Sequence, residues 1–196
     1  MAGPLSVLGD VCSQERNVSL STLEKVLLLG VEIAREGREG RKVGTMFVVS
    51  DADEVLRRSK SLILDPLKGH PKESKRIDEP NMRETIKELA QLDGAFVVSD
   101  DGTVISACRY IDASSKGIAL PLGFGSRHMA AASITRETDA VAVVVSESSI
   151  VRIFDDGELV SEIIPELWML SRYVHHLTGI YSEKTDHELT VVSKKK

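Results

Sequence analysis

The chain has 196 residues, a length that suggests one domain, or one domain with an embellishment, and that can bury a sizeable core without disulfides or structural metals. Its 42% hydrophobic and 28% charged residues are ordinary for a globular protein, and 4% aromatics leave little for a base-stacking platform. A net charge of −5 argues against a large phosphate-backbone footprint, and so against nucleic acid as the main partner, while leaving room for a small anion in a local basic pocket.

The two cysteines, Cys12 and Cys108, belong to no Cys/His cluster, so neither a disulfide framework nor a zinc site is expected. The run "VLLLGV" (26–31) is followed at once by charge, well short of the roughly 20 apolar residues of a membrane span. The N-terminus lacks the basic stretch of a secretory signal. A cytoplasmic location with no membrane partner is the expectation.

Residues 1–20 are weakly patterned and read as an N-terminal arm. From Ser21, "STLE" has capping-box spacing, and Leu23, Val26, Leu27, Gly30, Ile33 and Ala34 mark one face of a helix. "TMFVVS" (45–50) reads as a buried strand and "DADEVLRRS" (51–59) as a short helix. The proline-rich stretch 65–81 reads as a loop, placed near a subunit contact. Asn81 with Glu84 suggests a second capping box, opening a helix lined by Met82, Ile86, Leu89 and Ala90. "GAFVVS" and "TVISACRYI", joined by "DDG", predict a hairpin. "AVAVVVS" (140–146) predicts a strand buried on both faces, and "IVRIF", "DDG", "ELVSEI" a second hairpin. A last helix is predicted over "PELWMLSRYVHHLTGI", with Leu167, Leu170, Val174 and Leu177 on one side, before a solvated "SKKK". The expected architecture is a single α/β domain over residues 21–182, a central mixed parallel and antiparallel sheet flanked by helices, with residues 183–196 as a C-terminal tail.

Three stretches could carry chemistry. "GFGSRHMAAA" (123–132) reads as a tight turn feeding a helix N-terminus with Ser126 as N-cap, where free amides and the helix dipole suit a phosphate. The plainer reading is a glycine-shaped turn with Arg127 in a surface salt bridge. "LDGA" (92–95) sets Asp93 and Gly94 just before a strand, either as turn residues or as a carboxylate for a divalent cation at the sheet edge. "VVVSES" (143–148) ends a buried strand in Ser146 and Glu147, either where the chain emerges into water or as a second metal ligand. Of the five histidines, His175 and His176 fall in the last helix, and His70 and His187 in loop and tail; His128 alone sits beside a glycine turn and an arginine.

The order and spacing of "DGAFVVSDDGTVISACRYI", "LGFGSRHMAAASITRETDAVAVVVSE" and "VRIFDDGEL" closely resemble the diadenylate cyclase domain, the family that makes cyclic di-AMP from two ATP molecules. The likeness covers residues 85–163 best. The family's Asp-Gly-Ala is intact at Asp93, Gly94 and Ala95, whereas its Arg-His-Arg is Arg127-His128-Met129 here, as in the soluble archaeal-type branch. The resemblance implies ATP as substrate, cyclic di-AMP as product, and a homo-oligomer in which two subunits, each holding one ATP, meet face to face. It implies Asp93 as a ligand for Mg²⁺ or Mn²⁺, with Co²⁺ also acceptable and Glu147 as an additional ligand. Gly125, Ser126, Arg127 and His128 would bind or orient phosphates, Gly94 and Ala95 would lie against the nucleotide, and Tyr110 and the Ile111 backbone would line the adenine. Two other readings stand beside it: a catalytically silent nucleotide-binding module, which Met129 favours, and a structural oligomerisation domain.

Overall fold

The structure, a computed structural model, describes residues 18–112, 114, 116–165, 177–186 and 189–194. Its elements in chain order are α1 (Leu20–Glu36), β1 (Thr45–Val49), α2 (Ala52–Arg57), β2 (Ser59–Ser61), a 3-10 turn (Lys72–Lys75), α3 (Pro80–Leu89), β3 (Ala95–Val98), β4 (Val104–Ile111), α4 (Ser126–Glu137), β5 (Val141–Val145), β6 (Val151–Asp155), β7 (Glu158–Ile164), β8 (Tyr181–Asp186) and β9 (Leu189–Lys194). The strands form one mixed sheet in the order β2-β4-β3-β1-β5-β6-β7-β9-β8. β1 and β3 run parallel, and the other pairs are antiparallel.

Side-chain alternation divides the core between the two faces of the sheet. On β5, Val141, Val143 and Val145 pack with the apolar sides of α1 and α3, while Ala142 and Val144 pack with α2 and α4. All five residues are buried, as a strand covered on both sides must be. Each valine so placed contributes about 1.5–3 kcal/mol relative to exposure. The alanines of α4 serve the same end: Ala131 and Ala132 have no exposed surface and let the helix lie close to the sheet.

Several boundaries differ from the sequence expectations. α1 starts at Leu20 and is capped by Ser19, whose side chain accepts from the Thr22 amide, not by Ser21. α3 is capped by Glu79, which accepts from the Met82 amide with Pro80 in the first turn, not by Asn81. A proline at the first helical position costs no hydrogen bond and comes with a preset φ, so it fixes the start two residues earlier. Gly125 precedes α4 without any side-chain cap, and Ser126 is the first helical residue, not the cap. β2, a three-residue strand, has no counterpart among the sequence expectations. Residues 183–194, expected within the tail, supply most of β8 and all of β9, so "SKKK" begins inside the sheet, where Ser193 is buried and shares a hydrogen bond with Ser161. The arm over 1–17 and the helix over 166–176, with Leu167, Leu170, Val174, His175 and His176, lie outside the described residues, as does His187. No helix among the described residues is long and apolar enough to cross a membrane.

Candidate active site

One end of the sheet, on the α4 side, gathers segments far apart in the chain. It is made by the entries to β1 and β3, the exits of β4 and β5, and the start of α4. Asp93 precedes β3, Arg127 lies in the first turn of α4, and Glu147 follows β5. Arg127 donates from Nη2 to Asp93 Oδ1 at 3.1 Å, and its Nη1 lies 3.6 Å from Glu147 Oε1. One guanidinium thus spans two carboxylates. The Asp93 side chain is 89% exposed, so this pairing stabilises the fold little, by about 0–1 kcal/mol. Its consequence is spatial: two acidic groups that would otherwise repel are held together at the mouth of a cleft.

That cleft has two parts that share Ser126 and Arg127. The larger, about 380 Å³, takes in Asp93, Gly94, Ala95, Tyr110 and Ile111. The smaller, about 200 Å³, takes in Gly125, His128, Ser146 and Glu147. Every residue named for the site from the sequence therefore borders one chamber or the other. Backbone geometry makes the first chamber specific. Asp112 N donates to Arg58 O and Leu62 N to Cys108 O, so alternate residues of β4 turn their main-chain groups toward β2. Ile111 turns its own N–H and C=O to the opposite edge, and β3 begins at Ala95, opposite Arg109. Ile111 therefore extends past the end of its neighbour strand, offering a donor and an acceptor beside the chamber.

Gly94 explains how Asp93 reaches this place. Its φ is +110°, and a Cβ there would lie 2.6 Å from the Cys108 carbonyl carbon and 2.8 Å from Arg109 N. Only glycine both adopts this conformation and lets the chain cross so close to β4. Cys108 answers with its own positive φ of 54°, at the irregularity in the β3–β4 register. Burial pushes the Cys108 thiol up, so it is held as an unreactive thiol.

The expectation for His128 is that it binds or orients phosphates. The residue is buried and borders the smaller chamber, but its Nε2 lies 3.2 Å from Arg152 Nη1, and its ring packs against Phe124 at 4.5 Å. Two further residues border the site without a local sequence signal, Gly44 and Arg109. A Cβ on Gly44 would lie 3.0 Å from Arg127 Nη1 and 3.1 Å from Glu147 Cγ, so Gly44 clears the space in which that pair meets. Arg109 borders the larger chamber, but it is spent on structure: Nη2 donates to Leu56 O at 3.1 Å and Ser59 O at 2.7 Å, fastening β2 to β4.

Among the described residues no group of three or more His, Cys, Asp and Glu side chains is assembled as a metal cage. Asp93 and Glu147 are instead a pair of hard oxygen donors, which suits a cation that completes its shell with ligand oxygens. The two free amides opening α4, at Ser126 and Arg127, add a phosphate-binding edge.

The family described as DAC, DisA bacterial checkpoint controller nucleotide-binding, matches residues 32–159. The chain is similar to a diadenylate cyclase of Methanocaldococcus jannaschii, 48% identical over 145 residues, covering 74% of this chain and 46% of that protein. It is also similar to a diadenylate cyclase of Haloferax volcanii, 40% identical over 147 residues, covering 74% of this chain and 54% of that one. The chain spans about half the length of these curated relatives. In fold it is like the crystal structure of a double mutant of DacA from Staphylococcus aureus, with a TM-score of 0.50 and 19% identity over 71% of this chain and 84% of that one. A hypothetical membrane spanning protein from Bacillus cereus gives 0.51 and 18%, over 76% of this chain and 65% of that one.

Proposed function

The chain belongs to the diadenylate cyclase (DAC) domain family, and from that premise we propose that it condenses two ATP molecules into cyclic di-AMP with release of two pyrophosphates. The observation that carries this reading is the meeting of Asp93, Arg127 and Glu147 at a divided cleft of nucleotide-binding size. The adenine would occupy the larger chamber, against Tyr110 and Ile111, with the free N–H and C=O of Ile111 reading the base edge. Gly94 and Ala95 would pass beneath the ribose. The triphosphate would run past Ser126 and Arg127 toward Gly125 in the smaller chamber.

Each half of the reaction is the attack of a ribose 3′-hydroxyl on an α-phosphate, with pyrophosphate leaving. Such transfer needs alignment and charge neutralisation more than covalent help. Arg127 and the amides of Ser126 and Arg127 offset charge on the phosphate oxygens, and Asp93 assists the attacking hydroxyl. Asp93 and Glu147 would hold Mg²⁺ or Mn²⁺, with Co²⁺ also suited to oxygen donors. When bound, such an ion supplies further neutralisation of the triphosphate. His128 acts by orienting the turn beside it. Each subunit holds one ATP, and a face-to-face homodimer brings the two into reach; the high exposure of Asp93 suits a site that opens toward a partner copy. The work is cytoplasmic, with no nucleic acid and no membrane as partner.

Purified protein incubated with ATP and either Mn²⁺ or Mg²⁺, then resolved by chromatography, tests the proposal through cyclic di-AMP and pyrophosphate. Met129, standing where the family has arginine, favours a second reading as a nucleotide-binding module without turnover. Absence of product under either metal at every protein concentration, with ATP binding retained, would decide for that reading.

A further inference from the structure

We infer that Arg152, held by Glu162, is a positioning residue for the phosphate-binding turn: it keeps His128 as the neutral imidazole with its proton on Nδ1, and anchors Phe124 and the first turn of α4. The catalytic consequence rests on the cyclase reading; the geometry does not. Arg152 and Glu162 are directly opposed on β6 and β7, on the face that carries α4. Their side chains are 6% and 0% exposed, and Arg152 Nε donates to Glu162 Oε1 at 2.7 Å. Burying two charges incurs a desolvation cost that apolar residues of similar volume would avoid. A buried pair of this kind is therefore poorly explained by stability alone.

What the pair does is visible in the other contacts of the guanidinium. Nη1 lies 3.2 Å from His128 Nε2, and Cζ lies 4.6 Å from the centre of the Phe124 ring. Phe124 in turn packs on His128 with its ring tilted by 35°, and Phe154 of β6 closes on the imidazole edge-on at 6.1 Å. Arginine only donates, so Nε2 must accept and the ring proton must sit on Nδ1. An imidazolium would direct a second positive group at the guanidinium. The same cation thereby ties the Gly123–Gly125 turn, through Phe124, and α4, through His128, to the sheet. α4 has no side-chain N-cap, so these two anchors set the direction in which Ser126 and Arg127 face the cleft.

Two measurements on the full chain test this. In ¹⁵N-histidine-labelled protein, with His128→Gln used for assignment, His128 should show a pyrrole-type Nδ1 and a pyridine-type Nε2 at neutral pH. The reverse tautomer, or an imidazolium, overturns the inference. Second, Arg152→Met combined with Glu162→Leu removes both charges of the pair together. This variant should melt within a few degrees of the parent and bind adenosine within about twofold of it. Its preference for ATP over adenosine should fall about tenfold and its kcat about 10- to 100-fold, as expected for phosphates misplaced by about 1 Å. Parental ATP preference and kcat in the folded double variant would also overturn it. Should the parent chain itself make no cyclic di-AMP, the cyclase reading fails, while the tautomer and the ATP-to-adenosine ratio still decide the role of Arg152.

Discussion

Replacing Gly94 with alanine puts a single methyl group at the point where the site depends most on backbone geometry. That Cβ would lie 2.6 Å from the Cys108 carbonyl carbon and 2.8 Å from both Arg109 N and Cys108 Cα, all of them main-chain atoms that cannot swing aside. Relieving contacts that short means parting the entry to β3 from β4 by the better part of an ångström. The residue must also hold a φ of +110°, which costs a non-glycine residue about 1–3 kcal/mol. Asp93 is the immediate neighbour and would move away from Arg127, now 3.1 Å distant. A displacement of about 1 Å at a reacting centre costs about 100-fold in rate, equivalent to about 2.7 kcal/mol. Gly94→Ala should therefore lower the thermal midpoint and reduce cyclic di-AMP formation about 100-fold, read by melting and by product chromatography on the same preparation. A variant with parental melting and parental turnover would refute the claim that this crossing positions the carboxylate.

Three further outcomes follow from single contacts. Arg127→Ala should leave melting almost unchanged, since its partners are exposed, yet weaken ATP binding about 10- to 100-fold in titration through loss of charge-assisted hydrogen bonds. The nearest atoms to the Cβ of Gly44→Ala belong to flexible side chains and not to backbone, Arg127 Nη1 at 3.0 Å and Glu147 Cγ at 3.1 Å, so folding should persist while KM for ATP rises a few-fold. Asp101, in the β3–β4 turn, accepts from Lys72, Ser99 and Thr103, and Lys72 foremost holds its carboxyl well below the usual carboxylate range. A depressed carboxyl contributes stability that is present above the unfolded pKa of about 3.9 and is lost as pH falls toward the folded value. Asp101→Asn should thus melt about 2–4 °C lower at neutral pH at most, and the gap should close on acidification in melts taken as a pH series.

Much of this architecture was legible because it repeats. The apolar run of β5 and the turn triplets of both hairpins state their structure locally, and the face Leu23, Val26, Leu27, Gly30, Ile33 and Ala34 of α1 is buried throughout. The misread ends are those where two residues compete for one role. Ser19 and Ser21 can both cap α1, and Ser19 wins because the chain is already helical at Leu20. Pro80 moves the start of α3 to Glu79, a poorer cap by type but the one in position. Residues 183–194 carry little apolar alternation of their own, and their strands form because β7 offers an edge to pair with.

The candidate site divides along the same line. Asp93, Gly94, Ser126, Arg127 and Glu147 sit in local patterns and could be named before any fold was known. Gly44 could not, because its importance lies in an absent side chain opposite residues 83 and 103 positions away. Nor could the direction of the His128 ring, which depends on a cross-strand pair beginning 24 residues later.

The central claim, that the Asp93 carboxylate serves turnover at this cleft, is tested most directly by Asp93→Asn. Initial rates of cyclic di-AMP formation are measured beside the parent chain at matched Mn²⁺ or Mg²⁺ concentrations. The substitution keeps the shape of an 89% exposed side chain, so the account predicts an intact fold with product formation nearly abolished. Parental turnover in this variant would contradict it.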